Sequence, residues 1–305
     1  RTQVSFDAEL YREARREADD EMAVKNLWST FKNASWLGWQ MESNWAQPWL
    51  FFLYAVVRPI AGSLLLVVMY MVVTGGTTGA LFAYIYVGSA FFMFVAQVLF
   101  GAAWVIHEDR EHYQTLKYLY ISPANFYAYI LGRSMGKVAL TAFSVIITML
   151  FGVFTLGIEM PLAAINWPLL IVGMVLGLAC ITAFGLALAG ISFLTARHAI
   201  SMNESVAGIF YLFCGAIFPI SALPIWSWSF AKVIPITYWL YVMRMAIFGA
   251  GSDVVALDTS MSGYDAQTGL LILVASTLVL MVVSVAIFKL GDHIARKKGL
   301  IDMTT

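Results

Sequence analysis

The chain has 305 residues, of which 61% are hydrophobic and only 12% charged, with a mean hydropathy of +0.79 and a formal net charge of zero. Soluble domains carry about twice that share of charge, so a soluble enzyme or a nucleic-acid-binding module is excluded and an integral membrane protein is expected. Two cysteines, Cys180 and Cys214, lie inside apolar runs with no thiol or histidine at metal spacing, so neither a disulfide framework nor a zinc site is supported and both are expected to pack in the core.

The first segment, Phe6 to Phe31, places Phe6, Leu10, Ala14, Val24, Leu27, Trp28 and Phe31 at helical spacings among acid and base pairs three or four apart. It is expected to be an amphipathic helix on the membrane surface. Trp36, Trp39, Trp45 and Trp49 follow as an aromatic belt leading into the first span. The polar first 45 residues hold no apolar core of a secretory signal, so the first span is expected to act as the anchor.

About 20 helical residues cross a bilayer core. Uninterrupted apolar runs of that order occupy 50–73, 81–106, 126–156, 167–194, 202–220 and 268–290. The fold expected is therefore an all-α membrane protein with six transmembrane helices, organised as an interfacial segment over 1–49, a six-span membrane domain over 50–291 and a basic tail over 292–305. Connectors 74–80, 157–166 and 249–267 contain no Lys or Arg, whereas 107–125, 195–201 and both termini carry the basic residues. By the positive-inside rule the former face outward, and both termini are expected in the cytoplasm of a cell with this protein in its inner or plasma membrane.

One apolar stretch departs from a simple crossing. Over 220–248, Pro224 and Pro235 cut the chain into pieces of one or a few helical turns, each too short to span. It is expected to be a re-entrant helix pair in the outer leaflet, shielded by other helices, with Lys232 and Arg244 snorkelling at the outer interface. Two full crossings are the alternative.

Motifs for chemistry are missing. Gly132, Gly136 and Lys137 imitate a phosphate loop but lack its four-residue gap and the following Ser or Thr. Gly132 and Gly136, and likewise Gly173 and Gly177, are better read as close helix contacts. His107 and His112 are five apart, not the four that put two imidazoles on one helical face, and no serine sits in a nucleophile elbow. Arg58, Glu204 and Arg244 are the ionisable residues nearest apolar surroundings, too few for an obvious proton relay.

Between the second and third spans lies His107 to Pro123, where Glu108, Asp109, Arg110 and Glu111 lead into the apolar stripe Tyr113, Leu116, Leu119 and Tyr120, closed by Ser122 and Pro123. A short amphipathic helix in the plane of the cytoplasmic interface is expected. From the residues alone it either rests on lipid or contacts a partner.

This insert resembles the E-x-R-x-x-G-T-L-x-x-L-x-x-S-P element of the permease subunits of type-2 ATP-binding-cassette exporters, matching at Glu108, Arg110, Thr115, Leu116, Leu119, Ser122 and Pro123. Gln114 replaces the glycine, one extra residue separates Arg110 from Thr115, and Lys117 stands where an acid is usual. A second likeness is P-x-S-x-L-P-x-W followed by P-x-T-Y and an arginine, here Pro219, Ser221, Leu223, Pro224, Trp226, Pro235, Thr237, Tyr238 and Arg244.

The resemblance implies a permease without ATPase activity or a cofactor of its own, ATP and magnesium being bound by separate nucleotide-binding subunits. It further implies a dimer with a second permease copy or homologue, an ATPase-coupling element that includes Glu111, Tyr113 and Tyr120, and an outer gate to which Trp228 belongs. The aromatic residues of 82–94 and 226–241 suit a hydrophobic or amphipathic cargo, drug-like, lipid or glycolipid, with polysaccharide next. An ATP-independent channel or secondary transporter is the competing class, and a membrane enzyme the third.

Overall fold

The computed structural model describes residues 26–44, 47–75, 79–113, 115, 119, 125–158, 160, 165–192, 194 and 199–298. Among these, every regular element is helical. Helix α1 occupies 26–43. It is followed by α2 (Pro48–Thr74), α3 (Ala80–His107), α4 (Phe126–Leu156), α5 (Trp167–Ser192), α6 (Ala199–Phe213), α7 (Ile225–Val233), α8 (Pro235–Phe248), the single turn α9 (Asp253–Ala256) and α10 (Ala266–Lys298). The expected amphipathic helix of Phe6 to Phe31 lies almost wholly outside the described residues.

Five helices, α2, α3, α4, α5 and α10, are long and apolar enough to cross a membrane. Four agree with an expected span to within two residues at each end, and α10 starts two residues before its expected span and runs eight residues past its end. Their ends are written locally: Pro48 opens α2 where its missing N–H costs nothing, Asn125 caps α4 by accepting from the Ala128 N–H, and Gly75 and Gly157 close α2 and α4 at φ 69° and 66°.

The bundle has two chemically distinct ends. The charged insert after α3, the start of α4, the end of α5 and the Lys/Arg-rich end of α10 gather at one, here the basic end, around Ile106, Ile130, Leu186 and Phe288. The acid-bearing connector between α8 and α10 marks the acidic end, around Ile220, Tyr238, Val255 and Met261.

α3 is the buried centre. Its Phe91 and Phe94 meet Trp239 of α8 edge to face, with ring centroids 6.0 and 6.5 Å apart. In lipid the driving force for such packing is contact rather than water exclusion, so backbones close in where side chains are small. Gly177 of α5 lies beneath the Trp239 indole, leaving no room for a Cβ, and Gly190 abuts the α10 backbone at Phe288 and Gly291. A Cβ on Gly173 would meet the Met243 and Val242 side chains more loosely, at 3.2 and 3.3 Å. The expected close contacts of Gly173 and Gly177 are therefore made with α8.

The fifth expected span differs. Over 202–220 the helix stops at Phe213, giving α6 only 15 residues, about 22 Å at the α-helical rise. Gly215, at φ 71°, turns the chain out of the helix. This exit turn meets α3 at Gly88, eight residues from its acidic end, so α6 halts about 12 Å short of that end.

Over 220–248 the chain forms a bent helix pair, the shape of a re-entrant pair or of a broken span. α7 and α8 are nine and fourteen residues long, Pro224 is the N-cap of the first, Pro235 opens the second, and the two axes are bent by 89°. From the acidic end α8 reaches as deep as Gly177, ten residues into α5 or about 15 Å.

Candidate functional site: the charged clamp at the basic end

After Ile106 the α3 helix widens into a π-helical turn, Glu108–His112. Inserting a residue into the ladder lets Glu108 and Asp109 both turn toward α4, an arrangement common where a helix carries a site. Arg133, on the second turn of α4, receives them. Its Nη2 donates to Glu108 Oε2 at 2.9 Å, and Nη1 donates to Asp109 Oδ1. The Tyr129 hydroxyl, one turn earlier, donates to Asp109 Oδ2 at 2.9 Å, and the Trp104 indole donates to Glu108 Oε1 at 2.8 Å.

Burial separates the two acids. The Arg133 and Asp109 side chains are 3% and 2% exposed, whereas Glu108 is 27% exposed. Burial pushes the Asp109 carboxyl up from its ordinary value, against the opposing pull of the Arg133 guanidinium and the Tyr129 hydroxyl. The guanidinium also lies 5.5 Å from the centre of the exposed Tyr113 ring.

One turn further along α4, Lys137 does the same for α1. Its Nζ pairs with Glu42 Oε1 at 2.8 Å. The backbones touch because of three glycines: a Cβ on Gly132 would stand 2.5 Å from the Phe31 carbonyl oxygen, one on Gly136 would stand 2.5 Å from the Gly38 carbonyl carbon, and one on Gly38 would run into the Arg133 carbonyl. The expected close helix contact of Gly132 and Gly136 is thus made with α1. That helix turns Ala34 and Gly38 inward and leaves Trp28, Trp36 and Trp39 exposed.

Other expected site residues are placed less fully. Thr115 donates its N–H to the Asp109 carbonyl at 2.8 Å and its own carbonyl accepts from the Leu119 N–H at 3.1 Å. The side chains of Arg110 and Glu111, and residues Leu116, Tyr120, Ser122 and Pro123 with Gln114 and Lys117, lie outside the described residues. Arg133, Lys137, Glu42 and Tyr129 were not among the residues singled out for the site. A signal for the first two was present as basic residues just inside an apolar span.

At the acidic end, Arg244 does not snorkel as expected. It is 2% exposed and faces the bundle interior. Its Nη2 donates to the Gly215 carbonyl at 2.6 Å, the Ala216 carbonyl at 3.3 Å and the Tyr84 carbonyl at 3.4 Å, and its guanidinium lies 3.5 Å from the Tyr84 ring centre. The Gly215 and Ala216 carbonyls lie in the exit turn just past the end of α6 at Phe213, so the cation fastens that turn and stands near the negative dipole end of the helix. Asp258, buried in the connector after α9, accepts from the Tyr84 hydroxyl at 3.4 Å, the Ile220 N–H at 3.3 Å and the Ser260 hydroxyl at 2.7 Å.

Around this anchor, Tyr238 packs edge to face on Tyr264, Trp228 donates its indole N–H to the Leu223 carbonyl at 3.0 Å, and Pro219 precedes the 3-10 turn Ile220–Ala222. Trp226 is exposed. Lys232 is half-buried, its Nζ 5.8 Å from the Tyr264 ring centre. Arg58 lies 5.0 Å from the Tyr54 ring on an exposed face of α2, and Glu204 is exposed on α6. Among the described residues no His, Cys, Asp and Glu cluster is suited to hold a metal ion.

The architecture is that of a multi-pass helical membrane protein, with charge-clamped helices at one end and a bent helix pair at the other. The profile of the ABC-2 type transporter family matches residues 34–248, and the chain belongs to that family, as its membrane-embedded permease component. A comparison with curated proteins returns no match.

Proposed function

We propose that the chain is the transmembrane subunit of an ATP-driven exporter, working as a pair with a second copy or a homologue and with separate ATPase subunits that bind ATP and magnesium. Its cargo is a hydrophobic or amphipathic molecule, drug-like, lipid or glycolipid, with polysaccharide the second choice. The basic end faces the cytoplasm of a cell with the protein in its inner or plasma membrane, and the bent pair α7 and α8 forms the outer gate.

One observation carries the reading of the basic end. Arg133 and Lys137, four residues apart on α4, hold the insert after α3 and the helix α1 respectively. A push on either element is delivered to the same helix. A partner that closes on both can bias the spans between two arrangements, because its contacts differ in the two states. Glu108 then serves as an internal brace, and the stripe Leu116, Leu119 and Tyr120 as the face offered to the ATPase.

The test is co-purification of an ATPase subunit with the full chain, compared with the variant Leu116→Asp/Leu119→Asp. Loss of the ATPase from the variant, with its bundle still folded, is expected. Transport in liposomes that proceeds without any ATPase would overturn the proposal in favour of a channel or secondary transporter.

A further inference from the structure

α7 and α8 are consecutive in the chain but held in different ways. Thirteen of the fourteen residues of α8, Pro235 to Ile247, are buried. Trp239 fills the hollow over Gly177, and Arg244 ties α8 to the exit turn of α6 and to α3. In α7 only Ser227 and Ala231 are buried, while Ile225, Trp226 and Val233 are each more than seven-tenths exposed. Its side chains meet other segments at few points: the Phe230 ring on Phe213, Lys232 near Tyr264, the Trp228 indole N–H on the Leu223 carbonyl, and Ala231 and Trp228 against the cluster around Ile220 and Tyr238, with no buried charge among them.

Between the two helices stands a joint. Ile234 is extended at φ −83° and ψ 117°, and Pro235 has no N–H with which to continue the helical ladder across it. The Thr237 hydroxyl donates to the Ala231 carbonyl at 2.7 Å and caps the end of α7, leaving one side chain across the bend.

Moving α8 would draw a buried guanidinium off three carbonyls and strand it in a low-dielectric interior, an outcome far costlier than releasing α7. We propose that the outer gate is α7 alone, swinging about Ile234 and Pro235, while α8 is a fixed pillar fastened by Arg244. The assignment rests on the transport reading above, and Arg244 is a positioning residue in it.

Hydrogen exchange read by mass spectrometry on the full chain in lipid nanodiscs tests it. The amides of 225–233 are expected to exchange at least about tenfold faster than those of 235–248, the two segments opening as separate units. Pro235→Ala restores an N–H and lets the ladder run through the joint, and is expected to slow exchange in α7 toward that of α8. Arg244→Ala in a Cys180→Ala background is expected to raise exchange in α8 and to expose Cys214, beside the Gly215 carbonyl, to a maleimide that cannot enter the bilayer.

Exchange of the two helices within about threefold of each other would overturn the proposal. So would a Pro235→Ala variant with α7 exchange unchanged. The measurement needs no ATPase, so failure to capture such a subunit leaves it intact, and equal exchange removes the gate assignment while transport stands.

Discussion

Removing the guanidinium of Arg133 should be the most damaging single change at the basic end. The two acids it holds differ in what they contribute. Glu108 is about a quarter exposed and keeps the Trp104 indole, so its bond to Arg133 counts as a half-solvated pair worth at most about 1 kcal/mol. Asp109 is buried, and without Arg133 it retains the Tyr129 and Thr115 side chains, both neutral, for a full negative charge. Breaking a buried pair from one side costs about 3–5 kcal/mol. That is a large part of the stability of an ordinary domain. Arg133→Ala should therefore lose about 3–5 kcal/mol and Glu108→Gln less than about 1 kcal/mol.

The double variant Arg133→Met/Asp109→Leu removes charge and counter-charge together, and should recover most of the loss, since well-packed apolar replacements of buried pairs are often neutral or better. The assay is thermal unfolding in one detergent for wild type, both single variants and the double variant, with the monodisperse fraction after heating as a second readout. A double variant no better than Arg133→Ala, or an Arg133→Ala variant that melts with wild type, would refute the reasoning.

The Asp109 carboxyl gives a pH prediction of definite sign. Its folded-state pKa is raised from the ordinary 3.8, so the folded state holds this proton more tightly, and its contribution to stability is full below 3.8 and lost as pH rises through the raised value. Melting curves of wild type minus Asp109→Asn should show that decline just above pH 3.8, and a difference flat in pH would count against it. Gly136→Leu should force α1 off α4, because the first added carbon already overlaps the Gly38 backbone; limited proteolysis should then cut within 26–43, and an uncut helix would contradict the packing. Lys137→Ala, which removes a pair with a fifth to a quarter of each side chain in solvent, should cost less than about 1 kcal/mol in the same melts and leave α1 protected. Gly177→Leu should drive the Trp239 indole from its place and shift its fluorescence to the red, and unchanged emission would count against that contact.

Crossings were legible in the sequence because the bilayer requires a long apolar run and closes helices on themselves, two demands that local composition answers. The breaks at Pro224 and Pro235 were legible for the same reason, proline acting on its own backbone. The partner of Gly132 and Gly136 was not. Small residues announce a close approach without saying which backbone arrives, and α1 comes from a hundred positions away in the chain.

Arg244 shows the limit most plainly. A cation four residues from the end of an apolar helix at the membrane edge reads as a snorkelling side chain. It is buried because the exit turn past α6 brings the Gly215 and Ala216 carbonyls to its guanidinium, a pairing that neither segment reveals alone. By itself the sequence determined that the chain is a helical membrane protein, where its long helices begin and end, and where its charged insert lies. Only the tertiary structure decided which charges meet: Arg133 with Glu108 and Asp109, Lys137 with Glu42, and Arg244 with the exit turn of α6. Apolar periodicity is a property of neighbours in the chain, whereas the partner of a buried charge is fixed by packing between helices far apart in sequence.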